Sequence, residues 1–531
     1  MMPFHIMNMI KEKIQQYISK NAQVEFHDNV ATFEVPILEI KKVVSGLYGH
    51  KNLSLKLITA TDERKENGCF KIWYVFGVPK ENIFIIPFIQ LKNTTEFPSL
   101  SLVRHEVLNY ERKIKTFFGL TPIGCHDQRP MLLHENWPMD IFPLRKNFNW
   151  QTKPKTASGT YHFQKVKGEG IYEVPVGPIH AGIIEPGHFR FSLAGERIEL
   201  LEPRLGFTHK GSEKLFEALP LHEQILVSEK ISGDSSFSHS LAFCQVLEKL
   251  SDTKVPERAR YVRVIYAELE RLANHFGDIG AIMLDTGFNF GGAQGARLRE
   301  LVMQINESIT GSRFLRGVNM VSGVAKDIDN KEKNKLSLEL GRIHRDFSEV
   351  IRVAENSTSL LNRLKGTGIL SLEIAKNYGV VGVAGKATGL ENDTRVDYPY
   401  AAYDELLLDK VATERDGDVY ARFRVRIKEA HASIKIIQEA LGQLPEGYIN
   451  IPNRSVVFKK NALAISMVEG WRGEIVYFVT TDADGNIDRV VPRDPSFINW
   501  AVLREAGFGN VLPDFPLINK SFNLSYSGND L

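Results

Sequence analysis

Cysteine is scarce: the 531-residue chain has three, Cys69, Cys125 and Cys244, far apart in sequence. No C-x-x-C pair occurs, so the spacing that holds a zinc ribbon or an iron–sulfur cluster is missing. A disulfide framework is not expected, which suits a reducing compartment. An excess of charge of either sign is also missing. Sixty-six basic residues face 64 acidic ones, a net charge of +2, whereas a nucleic-acid binder shows a basic surplus. No apolar run reaches 18 residues, so no spanning segment is expected. The opening MMPFHIMNMIKEKIQQYISK lacks the order of a secretory signal, because Lys11, Lys13 and Lys20 follow its apolar start. There is no internal repeat and no low-complexity tract.

What is present is an ordinary globular composition, 43% apolar, enough to bury a large core. Ile6, Met9, Ile10, Ile14 and Tyr17 share one helical face and predict a first amphipathic helix. Short β-rich runs follow: Val30–Val35, Leu53–Ile58, Phe70–Val78 and Ile83–Ile89. Together they predict a small α/β domain over residues 1–150. The polar stretch 151–170 reads as a linker, and residues 171–531 as a larger, mainly helical domain with flanking β-hairpins. The fold class is therefore α+β. Pro256 is placed at the first position of a helix. Ala259, Val262, Tyr266, Leu269, Ala273 and Phe276 then recur at spacings of three and four. A second long helix is expected over 332–364 and another over 419–442, a bundle in outline. Near the end, Ile475–Thr481 and Ile487–Val491 flank Asp482-Ala483-Asp484-Gly485-Asn486, a hairpin turn in composition.

Four segments carry unusual chemistry. Tyr110-Glu111-Arg112 leads through Phe118-Gly119, His126-Asp127, Arg129 and Trp137-Pro138 to Pro143-Leu144-Arg145-Lys146-Asn147-Phe148, which reads as an irregular docking loop. Val176 to Arg190 carries His180, Glu185, His188 and Arg190 among glycines and prolines that fix a tight loop. Its titratable groups could handle protons near a redox centre, or could serve only as hydrogen-bonded interface residues. Glu229-Lys230-Ile231-Ser232-Gly233-Asp234-Ser235-Ser236-Phe237-Ser238-His239-Ser240 is dense in hydroxyls. These either cap the helix that follows or line a ligand pocket. The fourth segment is Arg493-Asp494-Pro495-Ser496-Phe497-Ile498-Asn499.

In order and spacing, the second to fourth segments resemble the large subunit of membrane-bound [NiFe] hydrogenases and its complex I counterpart. The first resembles the small peripheral-arm subunit of complex I, E-R-E … F-G … G-H-P-D … R … W … P-L-R-K-D-F. Fusion of the two is similar to the large subunits of formate-hydrogenlyase and hydrogenase-4 type enzymes. The hydrogenase pattern E-R-I-C-G-x-C-x-x-x-H-S stands here with Ser232 and Ser235 at both cysteine positions; D-P-C-x-x-C stands with Ser496 and Asn499. All four positions that would ligate the metals are therefore vacated. Soft metals need thiolates, whereas a serine hydroxyl stays protonated at neutral pH. The C-terminal order, Glu469 … Gly473-Glu474 … Arg493-Asp494-Pro495-Ser496-Phe497, also resembles complex I. The tyrosine that touches the quinone headgroup there falls on Gly233, and the H-G-x-x-R loop is recast as Glu185-Pro186-Gly187-His188-Phe189-Arg190.

The resemblance implies an electron-transfer and energy-coupling subunit of a membrane-bound oxidoreductase complex. It binds no metal or cofactor itself and sits beside an iron–sulfur small subunit that supplies a [4Fe-4S] cluster. A ferredoxin-like subunit and antiporter-like membrane subunits complete the implied partners, on the cytoplasmic side of the cell membrane. A quinone-reducing fused complex I subunit, a scaffold without chemistry and an active hydrogenase remain as alternatives. The residues expected to carry chemistry are His180, His188, Arg190, Asp234, His239 and Asp494.

Overall fold

The computed structural model describes residues 12, 23–49, 53–406, 410–451 and 456–531. The expected first amphipathic helix lies outside them. The small domain is a five-stranded sheet: β1 (Val24–His27), β2 (Val30–Glu34), β3 (Ser54–Glu63), β4 (Cys69–Val78) and β5 (Ile83–Leu91), in the order β1-β2-β5-β4-β3. Only the β2–β5 pair is parallel. Helix α1 (Ile40–Tyr48) buries Ile40, Val43, Val44 and Leu47, one stripe at helical spacing.

Tyr110-Glu111-Arg112 lies in a regular helix, α2 (Leu108–Phe118), which corrects the expected irregular loop. Its apolar positions Leu108, Ile114, Phe117 and Phe118 face inward, and it stops at Gly119 in the left-handed conformation. The prolines that suggested irregularity, Pro122, Pro130, Pro138 and Pro143, all follow that stop. Residues 151–170 hold neither helix nor strand and lie along the large domain, where Tyr161 and the Gln164 amide donate to Glu202.

The large region begins with an antiparallel sheet of β6 (Ile171–Val176), β7 (His188–Ala194) and β8 (Arg197–Arg204). The loop expected over 176–190 is therefore shorter than its glycines and prolines suggest. Alternation in His188-Phe189-Arg190-Phe191 buries Phe189 and Phe191 and makes strand. The helical body consists of α3 (Ser236–Leu250), α4 (Glu257–Asp285), α5 (Asn289–Thr310), α6 (Asn330–Glu355) and α7 (Val419–Gln443). Pro256 precedes α4 as its N-cap instead of occupying its first turn. Helices α4 and α5 close to backbone contact: a Cβ on Gly280 would lie 3.0 Å from the Gly295 Cα. The helix expected over 332–364 breaks at Asn356, because Ser357 caps a new helix, Thr358–Leu364, by accepting from the Leu360 amide.

The chain returns to sheet with β9 (Leu463–Gly470), β10 (Gly473–Thr481) and β11 (Ile487–Arg493), followed by the short helix α8 (Pro495–Asn499). This terminal sheet shares one apolar core with the small domain, including Ile465, Met467, Val476, Phe478, Phe497 and Ile498. Buried ion pairs cross the same boundary, Lys56 to Glu474 at 2.6 Å and Lys113 to Glu213. No helix among the described residues is long and apolar enough to cross a membrane.

Candidate functional site

Residues 229–235 form the irregular entry to α3, and α8 presents 495–499 towards them. Ser232, Ser235, Ser496 and Asn499 are all buried. Ser525 bridges the two segments: its Oγ lies 2.8 Å from Ser232 Oγ, and its amide donates to Ser496 Oγ at 2.9 Å. Asp234 takes a hydrogen bond from Ser232 at 2.9 Å and a long one from Ser235 at 3.4 Å.

The dominant partner of Asp234 is Arg472, at the turn between β9 and β10. Its guanidinium binds both carboxylate oxygens, at 2.6 and 2.7 Å, and also reaches Ser232 at 3.3 Å. Burial pushes the Asp234 carboxyl up, but Arg472 outweighs it and holds the group below the ordinary carboxylate range. Arg472 can approach because Gly382, at φ +62°, leaves no side chain in the way; a Cβ there would lie 2.0 Å from the Arg472 carbonyl oxygen.

His239 and Asp494 meet beside this pair. His239 Nε2 lies 3.0 Å from Asp494 Oδ2, and its Nδ1 lies 3.2 Å from the Tyr477 hydroxyl. Asp494 also caps α8 by accepting from the Ser496 amide at 2.7 Å. Burial raises its pKa, and His239, Arg472 and the Ser496 contact together more than reverse this. Asn499 points elsewhere: its amide pairs in both directions with the Val381 backbone at 3.1 and 3.0 Å.

His180, His188 and Arg190 stand apart from this cluster. His180 bonds the Gly187 carbonyl at 2.7 Å, and His188 lies 3.4 Å from that of Gly177. Arg190 donates to Glu173 at 3.0 Å. Burial moves the His188 pKa down, so its imidazole is neutral at neutral pH. The 177–187 loop reaches the pocket's rim through Glu185, which accepts from the Ser527 amide at 3.1 Å.

The hydroxyls at the start of α3 do not cap it. Glu270 of α4 does, accepting from the Phe237 amide at 2.7 Å, the Ser238 amide at 3.1 Å and the Ser238 hydroxyl. Sequence reading missed Glu270, Arg472 and Ser525. The one signal was Asp234 itself, since a carboxylate among buried hydroxyls requires a cation, but its partner lies 238 positions away. Burial pushes Glu270 up to about 7 from an ordinary 4.5, against the hydrogen bonds it accepts. A raised folded pKa means stability is fullest below about 4.5 and is lost as pH rises through about 7. Replacement by glutamine, which resembles the protonated acid, is expected to flatten that part of the stability–pH curve, measured by denaturant unfolding across the window. An unchanged slope would refute the assignment.

Sequence comparison decides the family. A model described as the respiratory-chain NADH dehydrogenase 30 Kd subunit matches residues 33–154, and one described as the 49 Kd subunit matches residues 285–530. The chain is 32% identical over 512 residues to formate hydrogenlyase subunit 5 of Escherichia coli, covering 94% of this chain and 88% of that protein. It is 33% identical over 506 residues to hydrogenase-4 component G of the same organism, with 94% and 88% covered. Against the C/D fusion of NADH-quinone oxidoreductase from Phocaeicola vulgatus the identity is 27% over 423 residues, covering 76% and 81%. The chain belongs to the fused 30/49 kDa subunit family of complex I and related hydrogenases. It is thus a subunit of an oxidoreductase complex.

The resemblance implies a nickel–iron centre at this pocket. The residues do not fit. Three hydroxyls and an amide replace thiolates, and a hydroxyl neither ionises at neutral pH nor matches a soft metal. Three of the four side chains bond within the pocket and Asn499 bonds to Val381. Arg472 places a fixed positive charge where a metal pair would need negative ligands.

Proposed function

We propose that the fused subunit transfers electrons and couples energy in a membrane-bound complex without a nickel–iron centre of its own. The observation that carries this is the Arg472–Asp234 pair, set among hydroxyls where the resemblance puts four thiolates. An adjacent iron–sulfur subunit with a [4Fe-4S] cluster supplies the electrons, and the complex includes a ferredoxin-like subunit and antiporter-like membrane subunits. The chain sits peripherally on the cytoplasmic face. Within the pocket, Asp234, His239 and Asp494 are the groups able to hold or pass a proton next to the acceptor. His180, His188 and Arg190 serve the edge where the 177–190 hairpin meets that neighbour. Hydrogen evolution is not expected. Elemental analysis of the purified complex should find no stoichiometric nickel, and a nickel content near one per chain would overturn the proposal.

A further inference from the structure

A second set of ionisable groups lies deeper, behind the Arg472 turn. Lys386 Nζ touches three carboxylates: Asp393 at 2.7 Å, Glu429 at 2.7 Å and Glu469 at 3.0 Å. Arg395 binds Asp393 through two nitrogens, at 3.0 and 2.7 Å, and reaches Glu268 at 3.0 Å. Arg271 lies 3.2 Å from Glu268 and 3.8 Å from Glu429. All of these side chains are buried.

The charges in this cluster do not balance. Among the described residues it holds four carboxylates, Glu268, Asp393, Glu429 and Glu469, against three fixed cations, Arg271, Lys386 and Arg395. The nearby Arg426 does not fill the gap, because it pairs with Asp278 at 2.8 Å. An unbalanced buried charge is costly, so the neutral state of the cluster holds one proton more than its carboxylates and cations alone.

Two groups can take that proton. One is His275, whose Nε2 lies 2.7 Å from Glu429 and whose buried Nδ1 has no hydrogen-bond partner. Facing it are Glu429, Arg271 and Arg426, and burial lowers its pKa. The other is Glu469, faced by Lys386, Asp393, Arg271 and Arg395. Burial pushes it above the ordinary carboxylate range, and Asp393 adds to this against the cations. The Asp393 and Glu429 pKa values are both lowered, since the cations around them outweigh burial. An imidazolium at His275 would bury an Nδ1–H without an acceptor, and among the described residues Glu469 touches one cation, Lys386 at 3.0 Å, where each of the other three carboxylates touches two; the geometry therefore assigns the proton to Glu469.

The cluster meets a cavity on one side and packs towards the Asp234 pocket on the other. A cavity of about 640 Å³ opens from the surface down to Asp393, Arg395 and Glu429, with His344 and His431 on its wall. On the other side, Glu469 lies near the end of strand β9 and Arg472 follows at the turn. The His275 ring packs edge-on against Trp471, 6.3 Å between centroids, and Trp471 donates to the Asp234 carbonyl at 3.1 Å. Asn499 fixes Val381, the residue before the short helix Gly382–Lys386.

We propose that the Lys386 cluster is a proton-binding site: Glu469 stores one proton, loaded from water in the cavity above Asp393 and Glu429, for use at the Asp234 pocket. The step moves a proton alone. A hydronium ion in the cavity gives it up and is left as water, a Glu469 carboxylate oxygen accepts it, and no electron is exchanged. The storage stands on the cluster itself, while its service to the pocket rests on the function proposed above.

Infrared difference spectroscopy on the full-length chain tests the storage without any electron transfer, so its failure leaves the proposed function untouched. The wild type should show a neutral-carboxyl band at neutral pH that Glu469→Gln lacks and Glu469→Asp retains. The band should shift in heavy water faster than the protein globally unfolds. A band unchanged in Glu469→Gln overturns the proposal, and exchange only on global unfolding overturns the cavity route. Failure of Glu469→Gln to fold also overturns it, because glutamine is the isostere of the protonated acid.

Discussion

Replacing Lys386 by alanine is expected to cost about 5 kcal/mol or more of folding stability, enough to leave much of the chain unfolded. Lys386 is 1% exposed and, among the described residues, is the one cation that touches Asp393, Glu429 and Glu469 together. Breaking a buried pair costs about 3–5 kcal/mol because a charge is stranded without solvent. Here two charged carboxylates, Asp393 and Glu429, lose the partner they share with the neutral Glu469, and only uptake of further protons can relieve them, which places the loss at the top of that range. The loss should therefore shrink as pH falls. Adding Glu469→Gln to the Lys386→Ala chain should recover little, since Glu469 is already neutral, whereas adding Asp393→Asn should recover part of it, since one fewer charged carboxylate is left exposed to its neighbours. Lys428 is the control: it pairs with Glu414 on the wall of the open cavity, its own side chain 39% exposed, and its removal should cost under about 1 kcal/mol. Denaturant unfolding followed by circular dichroism measures all of these. A Lys386→Ala chain within about 1 kcal/mol of wild type would refute the charge balance assigned to the cluster.

Buried charge clusters of this kind are not displayed by a sequence, whose legible features are local. Spacing within one element revealed the strands of the small domain and the stripes of α4 and α6. The order of the motifs revealed the family, since each motif is a short run whose residues need no partner to be recognised. Boundaries failed where a single polar residue intervened, as Ser357 did by capping a second helix inside one apolar stripe. Tyr110 to Arg112 failed for the opposite reason: prolines beyond Gly119 masked a helix that ends before them.

Within the site, sequence indicated Ser232, Ser235, Ser496 and Asn499 as one set of positions, and the structure gives them different tasks. Ser232 and Ser496 share Ser525 as a bridge, whereas Asn499 holds the backbone that leads to Lys386. No pattern within one segment reports such contacts, because they join residues from the two ends of the large region. Arg472 stood in full view in the Trp471-Arg472-Gly473 run. Without a fold, an arginine in a tight turn has no reason to be assigned to an aspartate in another segment. Glu270 was hidden for the same reason: its position on α4 looks like an exposed helical acid until α3 is placed against it.

Removal of Asp234 is the second large effect. Asp234→Ala should lower stability by about 2–3 kcal/mol, because Arg472 would keep its charge with no carboxylate to meet it. The figure lies below the full range for a buried pair since the Asp234 side chain is 34% exposed, so water can screen part of the loss. Asp234→Asn should cost less, as its amide oxygen can still accept from the guanidinium. Arg472→Met should also cost less than Asp234→Ala, because a carboxyl freed from its cation can take up a proton, whereas a guanidinium cannot lose one. In the double variant Asp234→Leu with Arg472→Met, both charges vanish and the cost should fall below that of Asp234→Ala. A thermodynamic cycle over these chains isolates the pair. The same variants separate stability from function: if Asp234 passes protons, Asp234→Asn in the intact complex should slow electron transfer and alter its pH profile while the fold remains close to wild type. Unchanged rates and profile, together with the expected stability cycle, would assign the Arg472–Asp234 pair to structure alone.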